Sequence, residues 1–225
     1  HEDDLEKMKE YHRRRRSGDT EVPRNYEFRV KNRFGEVRQV FITIELIPNT
    51  SQSVASLVDI TETLKMQRTL EHRLQLEKIL TRISGNFINL PKEKIDNGVI
   101  EALEAIGQFK GADRSYIFLI EGDGVHMSNT HEWCAPGVES EKEKLQHQLI
   151  TDAAWTFEQL LRNRDISVSD MGELPSQAAY EKEVLSRQAI KSVAIVPLNY
   201  ENSLRGFLGL DTVEREKRWE EDDFA

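Results

Sequence analysis

The stretch Thr-His-Glu-Trp-Cys-Ala-Pro-Gly at 130–137 sets His131, Glu132, Trp133 and the chain's single cysteine, Cys134, side by side. Such a group admits three chemistries. A histidine and a cysteine three apart can share a metal ion, a thiolate beside a histidine can act as a nucleophile, and a cysteine can tether a prosthetic group. Each needs more than the stretch supplies. A zinc site wants a second pair of ligands, and a nucleophilic thiolate wants a third group and surroundings that favour the anion. A free cysteine usually behaves as a small buried hydrophobe. The segment therefore reads as a strand turning a corner, with no catalytic residue and no metal ligand assigned.

Composition limits the remaining options. The 225 residues suffice for one large domain or two small ones, and 40 acidic against 31 basic side chains leave a net charge of −9. An acidic surface repels phosphate backbones, so nucleic acid is not an expected partner. One cysteine cannot close an internal disulfide, which fits a reducing compartment. No apolar run approaches the roughly 20 residues that span a bilayer, and no signal peptide opens the chain. A cytoplasmic protein without direct membrane contact is expected. The first residue is His1, which points to a piece of a longer chain.

The elements that would hold these residues follow from periodicity. Residues 2–16 are charged and helix-favouring, and the basic run at 13–16 reads as a solvated surface. Tyr26, Phe28 and Val30 alternate with polar residues, Gly35 centres a turn, and 37–47 and 53–60 are rich in strand formers. Three strands joined by short turns predict an antiparallel meander. One short amphipathic helix is too little to cover its apolar face, so part of that domain is expected upstream.

The order of "HEDD", a helix, "YEFRVKNRFGEVRQVFITIELI" and a last strand closing on Asp59-Ile60-Thr61 resembles the C-terminal half of a PAS domain over residues 1–62. Glu2 and Phe34 depart from the family's usual proline and aspartate. The strands and helices that normally wall a PAS ligand cavity are not in this chain.

Residues 63–75 then read as a connector helix that continues into the next domain, with Thr61 as N-cap. Its apolar positions drift around the cylinder without a strict heptad. Either they pack on the following domain or two copies of the chain pair through them, as a coiled coil in a homodimer.

Residues 76–225 predict helices at 94–110, 138–149, 152–163 and 175–189, strand pairs at 114–133 and 191–211, and a short strand and loop at 165–174, an α+β arrangement around a central antiparallel sheet. "GADRSYIFLIEGDG", "HEWCAPG", "SVAIVPL", "GFLGLD" and "RWEEDDFA", in that order, resemble a GAF domain of the kind found in prokaryotic sensor histidine kinases and diguanylate cyclases. The final segment is expected to be helical. The resemblance implies a ligand cavity between sheet and helices, with Tyr116, Phe118, His131, Trp133 and Trp155 as candidate ligand-binding residues and His131 at its rim. Alternatively these aromatics fill the core. The Asn-Lys-x-x-x-Phe pattern of cyclic-nucleotide-binding GAF domains is absent, and no cofactor is identified. A non-enzymatic sensory segment is expected, binding a small molecule of unknown identity and relaying to an output domain, kinase or cyclase. A ligand-free dimerisation scaffold and a thiol-dependent GAF-fold enzyme are the other classes the sequence admits.

Overall fold

The computed structural model describes every residue except Asn49, Ser51, Asn89, Glu221, Asp222 and Ala225. The chain divides into two compact units, His1–Gln75 and Leu76–Ala225.

The first unit opens with helix α1 (Glu2–Arg16), acidic in its first turn and basic in its last, as the helix dipole favours. Strands β1 (Asn25–Lys31), β2 (Val37–Leu46) and β3 (Ser53–Asp59) form an antiparallel sheet in sequential order. Gly35, at φ +84°, lets the first hairpin close. The turn before β3 includes Asn49 and Ser51, outside the described residues. Val40, Ile42 and Ile44 alternate inward along β2 and are buried, whereas β3 is exposed at every position. Helix α1 is tied to β1 by Asp4, whose carboxylate accepts from the amide of Arg29 at 2.7 Å and from its guanidinium at 2.9 and 3.0 Å. The Tyr11 and Tyr26 rings add an edge-to-face contact at 5.1 Å.

Helix α2 (Thr61–Ile88) begins differently from expectation. Thr61 is its first helical residue and not its cap. The Thr61 hydroxyl accepts from the Gln39 amide of β2 at 2.9 Å, and the Asp59 carboxylate accepts from the Thr61 amide at 2.9 Å. Asp59 thus takes the capping work and Thr61 stitches the helix start to the sheet.

In the second unit, helix α3 (Ile95–Lys110) ends on Gly111 at φ +62°, the left-handed cap that glycine adopts without strain. Six antiparallel strands follow: β4 (Arg114–Ile120), β5 (His126–Cys134), β6 (Gln148–Leu149), β7 (Ile166–Val168), β8 (Ser192–Tyr200) and β9 (Ser203–Thr212). They lie in the order β6-β5-β4-β9-β8-β7. Helices α4 (Ala154–Leu161) and α5 (Ala179–Arg187) are shorter than the sequence predicts because a 3₁₀ turn precedes each. Glu201 and Asn202, both at positive φ, close the β8–β9 hairpin in two residues.

The charged segment 138–149 is not the helix its composition suggests. It holds one 3₁₀ turn, Lys142–Lys144, and strand β6. Tertiary bonds hold it in that form. The Glu132 carboxylate accepts from the amides of Glu141 and Lys142 at 3.0 and 3.1 Å, and the Asn129 amide donates to the Leu145 carbonyl at 2.9 Å. Residues 218–220 at the chain's end are likewise not helical; Glu221, Asp222 and Ala225 lie outside the described residues.

The sheet carries two cores. On one face Phe118, Phe157, Phe207 and Leu160 pack with residues of α4 and α5. On the other, Ala194, Leu210 and Trp219 pack with Ile106 of α3. The close approach of β9 to β4 explains one glycine: any side chain at Gly206 would run into the backbone carbonyl of Phe118.

Candidate functional site

A cavity of about 110 Å³ lies between the first face of that sheet and helices α4 and α5. Phe118, Met127, Leu185, Ile195 and Phe207 give it apolar walls. The Phe118 and Phe207 rings stack at 4.9 Å, and Tyr116 meets Phe118 edge-on at 5.8 Å. Glycine is needed at Gly209 because the Tyr116 ring occupies the space that a side chain there would take.

One wall is polar. Asn129, Glu132, Glu181 and Asp211 reach the cavity together with Tyr116. Strand register brings them there: Tyr116 stands opposite Glu132, Phe118 opposite Asn129, and Arg114 opposite Asp211. Thr130 is the extra residue of a bulge between the Ile117 and Phe118 pairings, so Asn129 and Glu132 serve the same face although they are three apart.

Asp211 is 1% exposed, and its Oδ1 accepts from Arg114 Nε at 3.0 Å. Burial pushes its carboxyl up to about 7, against the pull of Arg114. Burial also holds the Tyr116 phenol well above its ordinary range, so it is neutral near pH 7. Among the described residues, Asp211 Oδ2 and Asn129 Oδ1 are buried without a hydrogen-bond partner. Such atoms cost free energy unless something fills the space beside them.

The five sequence-predicted site residues do not all meet. Tyr116 and Phe118 line the cavity. Trp155 packs at the edge of the same core without lining the cavity. Trp133 stands opposite Ser115, on the other face, where its ring would sit 2.6 Å from a Cβ at Gly107 of α3. His131 stands opposite Ile117 and lines a separate surface groove; its Nε2 is 3.2 Å from Asp96 Oδ1 and its Nδ1 is 2.9 Å from Thr130 Oγ1. Register rather than composition makes this division.

Cys134 is half-buried, and burial with the nearby Glu132 charge pushes its thiol up to about 12. A thiol so held carries little thiolate near pH 7 and is a poor nucleophile. Among the described residues no three His, Cys, Asp or Glu side chains are arranged to hold a metal ion, and no helix is long and apolar enough to cross a membrane.

Sequence reading missed Arg114, Asn129, Glu132 and Asp211. The available signal was charge inside apolar strands: Arg114 directly before Ser-Tyr-Ile-Phe-Leu-Ile, and Asp211 directly after Gly-Phe-Leu-Gly-Leu.

Comparison with known proteins agrees with this architecture. A curated relative, the methanogenesis regulatory histidine kinase FilI of Methanothrix harundinacea (strain 6Ac), is 32% identical over 142 residues. The match covers 60% of this chain and 16% of that protein, so the chain spans a small part of its relative's length. Among solved structures, the phycoerythrobilin-bound GAF domain from a cyanobacterial phytochrome superposes with a TM-score of 0.55 at 17% identity, covering 68% of this chain and 88% of that one. A protein in a far-red absorbing dark state with bound biliverdin IXa superposes at 0.52 with 16% identity, covering 64% and 88%. At these identities the likeness is one of fold. The profile of the GAF domain matches residues 99–225, more than half of the sequence, and the chain belongs to the GAF domain family.

Proposed function

We propose that this chain is a non-catalytic sensory segment of a signal-transduction protein, in which the cavity beneath α4 and α5 takes a small molecule. The observation that carries the reading is the cavity itself: apolar walls with convergent polar groups, two of which each hold one buried atom without a hydrogen-bond partner, is the usual build of a ligand site. The histidine kinase relative supports an output domain of kinase type; a cyclase output is the alternative. The three-stranded sheet of the first unit supports its reading as the C-terminal half of a PAS domain over residues 1–62. Residues 63–75 then serve as connector to a GAF domain at 76–225.

The solved relatives hold bilins, but this cavity argues for a smaller occupant. Pockets for drug-sized ligands run to about 300–1,000 Å³, and about 110 Å³ is well below that. The test is a thermal-unfolding screen of small organic amines, alcohols, acids and biliverdin against the 225-residue chain. A ligand that binds the folded state at about a hundred times its Kd adds about 2.7 kcal/mol and raises the melting temperature visibly. If no compound of any charge shifts the transition, the scaffold reading replaces this one.

Signal relay would work through two arrangements of α2 that the ligand favours unequally. Met66, Leu70 and Leu74 are exposed on that helix, which supports pairing of two copies in a cytoplasmic homodimer. Sedimentation equilibrium is expected to show a dimer; a monomer at high protein concentration removes the pairing from the proposal.

A further inference from the structure

Resting on the reading of the cavity as the ligand site, we infer that its occupant is a small organic cation: a primary or secondary ammonium on an apolar body of about four or five carbon atoms. Size sets the body. A cavity of about 150 Å³ admits benzene, and this one, about 110 Å³, takes something smaller. Walls of Phe118, Met127 and Phe207 require that body to be apolar.

The polar wall sets the head. Both unpartnered buried atoms there, Asn129 Oδ1 and Asp211 Oδ2, are acceptors, on residues 0% and 1% exposed. The Asn129 amide is oriented by its own Nδ2, which donates to Glu132 Oε1 at 3.2 Å, so its oxygen is the atom left free. Three acidic side chains, Glu132, Glu181 and Asp211, reach the cavity, and no Lys, Arg or His among the described residues lines it. Arg114 offsets one of these charges from behind Asp211 and is not on the wall. An anionic head would face the acidic side chains, with only neutral hydroxyl and amide donors such as those of Thr156, Tyr180, Gln148 and Gln188 to offset them. A hydroxyl could satisfy one acceptor with its single proton. An ammonium supplies two or three donors and the missing charge, and charge-assisted hydrogen bonds are roughly twice as strong as neutral ones.

Isobutylamine, isobutanol and isovalerate share a branched apolar body and differ in the head, so they isolate this choice. Each is titrated into the 225-residue chain, with affinity from calorimetry and location from the Met127 methyl resonance. Isobutylamine is expected to shift that resonance and to bind at least about tenfold more tightly than isobutanol, a difference of about 1.4 kcal/mol. Isovalerate is expected not to shift it. Asp211→Asn should bring the amine down to the level of the alcohol; if that variant does not fold, the ranking on the unaltered chain decides alone. Alcohol or acid binding beside Met127 as tightly as the amine overturns the inference and leaves the cavity reading standing. No shift with any of the three also overturns it. Xenon then separates the two claims: a Met127 shift under xenon keeps the cavity as a site, and none removes that reading as well.

Discussion

Arg114→Met is expected to lower the unfolding free energy of the Leu76–Ala225 unit by about 1–3 kcal/mol, read as an earlier urea midpoint at unchanged slope. The physical reason is what the substitution leaves behind. Arg114 is 2% exposed and Asp211 1%, so neither can turn to water when its partner is lost. Asp211 would keep its buried carboxyl without the Arg114 Nε–H that now reaches it at 3.0 Å. Methionine fills much the same volume, so the loss reports the orphaned carboxyl and not a cavity.

The double variant Arg114→Met/Asp211→Val separates two meanings of that loss. A buried ion pair replaced by apolar side chains of similar size is often neutral or stabilising, because the desolvation of both charges disappears with them. Most of the stability is therefore expected to return in the double variant. Were the pair itself a net source of stability, the double variant would remain as weak as the single one, and a single-variant loss below about 1 kcal/mol would remove the argument altogether. A pair that contributes little net stability but costs much to break points toward a positional role. It fixes Asp211 Oδ1 and leaves Oδ2 without a partner, as the proposed ammonium recognition needs.

The same register explains what could be read in advance and what could not. The meander of the first unit was legible because Val40, Ile42 and Ile44 alternate and Gly35 marks a turn. The end of α3 was legible because Gly111 is a glycine in the place where a left-handed cap belongs. These are local signals. Segment 138–149 is helical in composition but not in structure, because its conformation is set by Glu132 and Asn129, residues on another strand. Tyr116 and Phe118 share a face by simple two-residue alternation. Trp133 and His131 could not be faced that way, because the bulge at Thr130 reverses the parity of β5 partway along. The Arg114–Asp211 pair spans 97 residues of sequence and exists only through the β4–β9 pairing. A lone charge in an apolar strand hints that a partner exists but does not say which.

Stability of the second unit is expected to fall as pH rises from about 4 to about 7 and then to level off. Asp211 is raised from an unfolded value of 3.8 to about 7 by burial, so between those values the folded chain holds a proton that the unfolded chain has released. The folded state binds more protons there, and raising pH works against it. Below about 4 both states are protonated and the contribution is complete; above about 7 both have lost the proton and it is gone. Each pH unit across the window carries about 1.4 kcal/mol, which bounds the fall at about 4 kcal/mol. Carboxylates held below their ordinary range act in the opposite sense and at lower pH. The His126 ring beside Asp123 holds that carboxyl down, and its contribution is lost as pH falls below about 4. The two effects therefore occupy separate windows, and the urea midpoint should peak near their boundary, around pH 4–5. Asp211→Asn, which cannot ionise, should remove the decline between 4 and 7 while leaving the acid limb in place. In Arg114→Met the decline should extend above 7, since the guanidinium that opposes the effect of burial is gone. A midpoint that stays level or rises from pH 4.5 to 7 in the unaltered chain would show that Asp211 is already ionised in the fold, with Arg114 outweighing the cost of burying it.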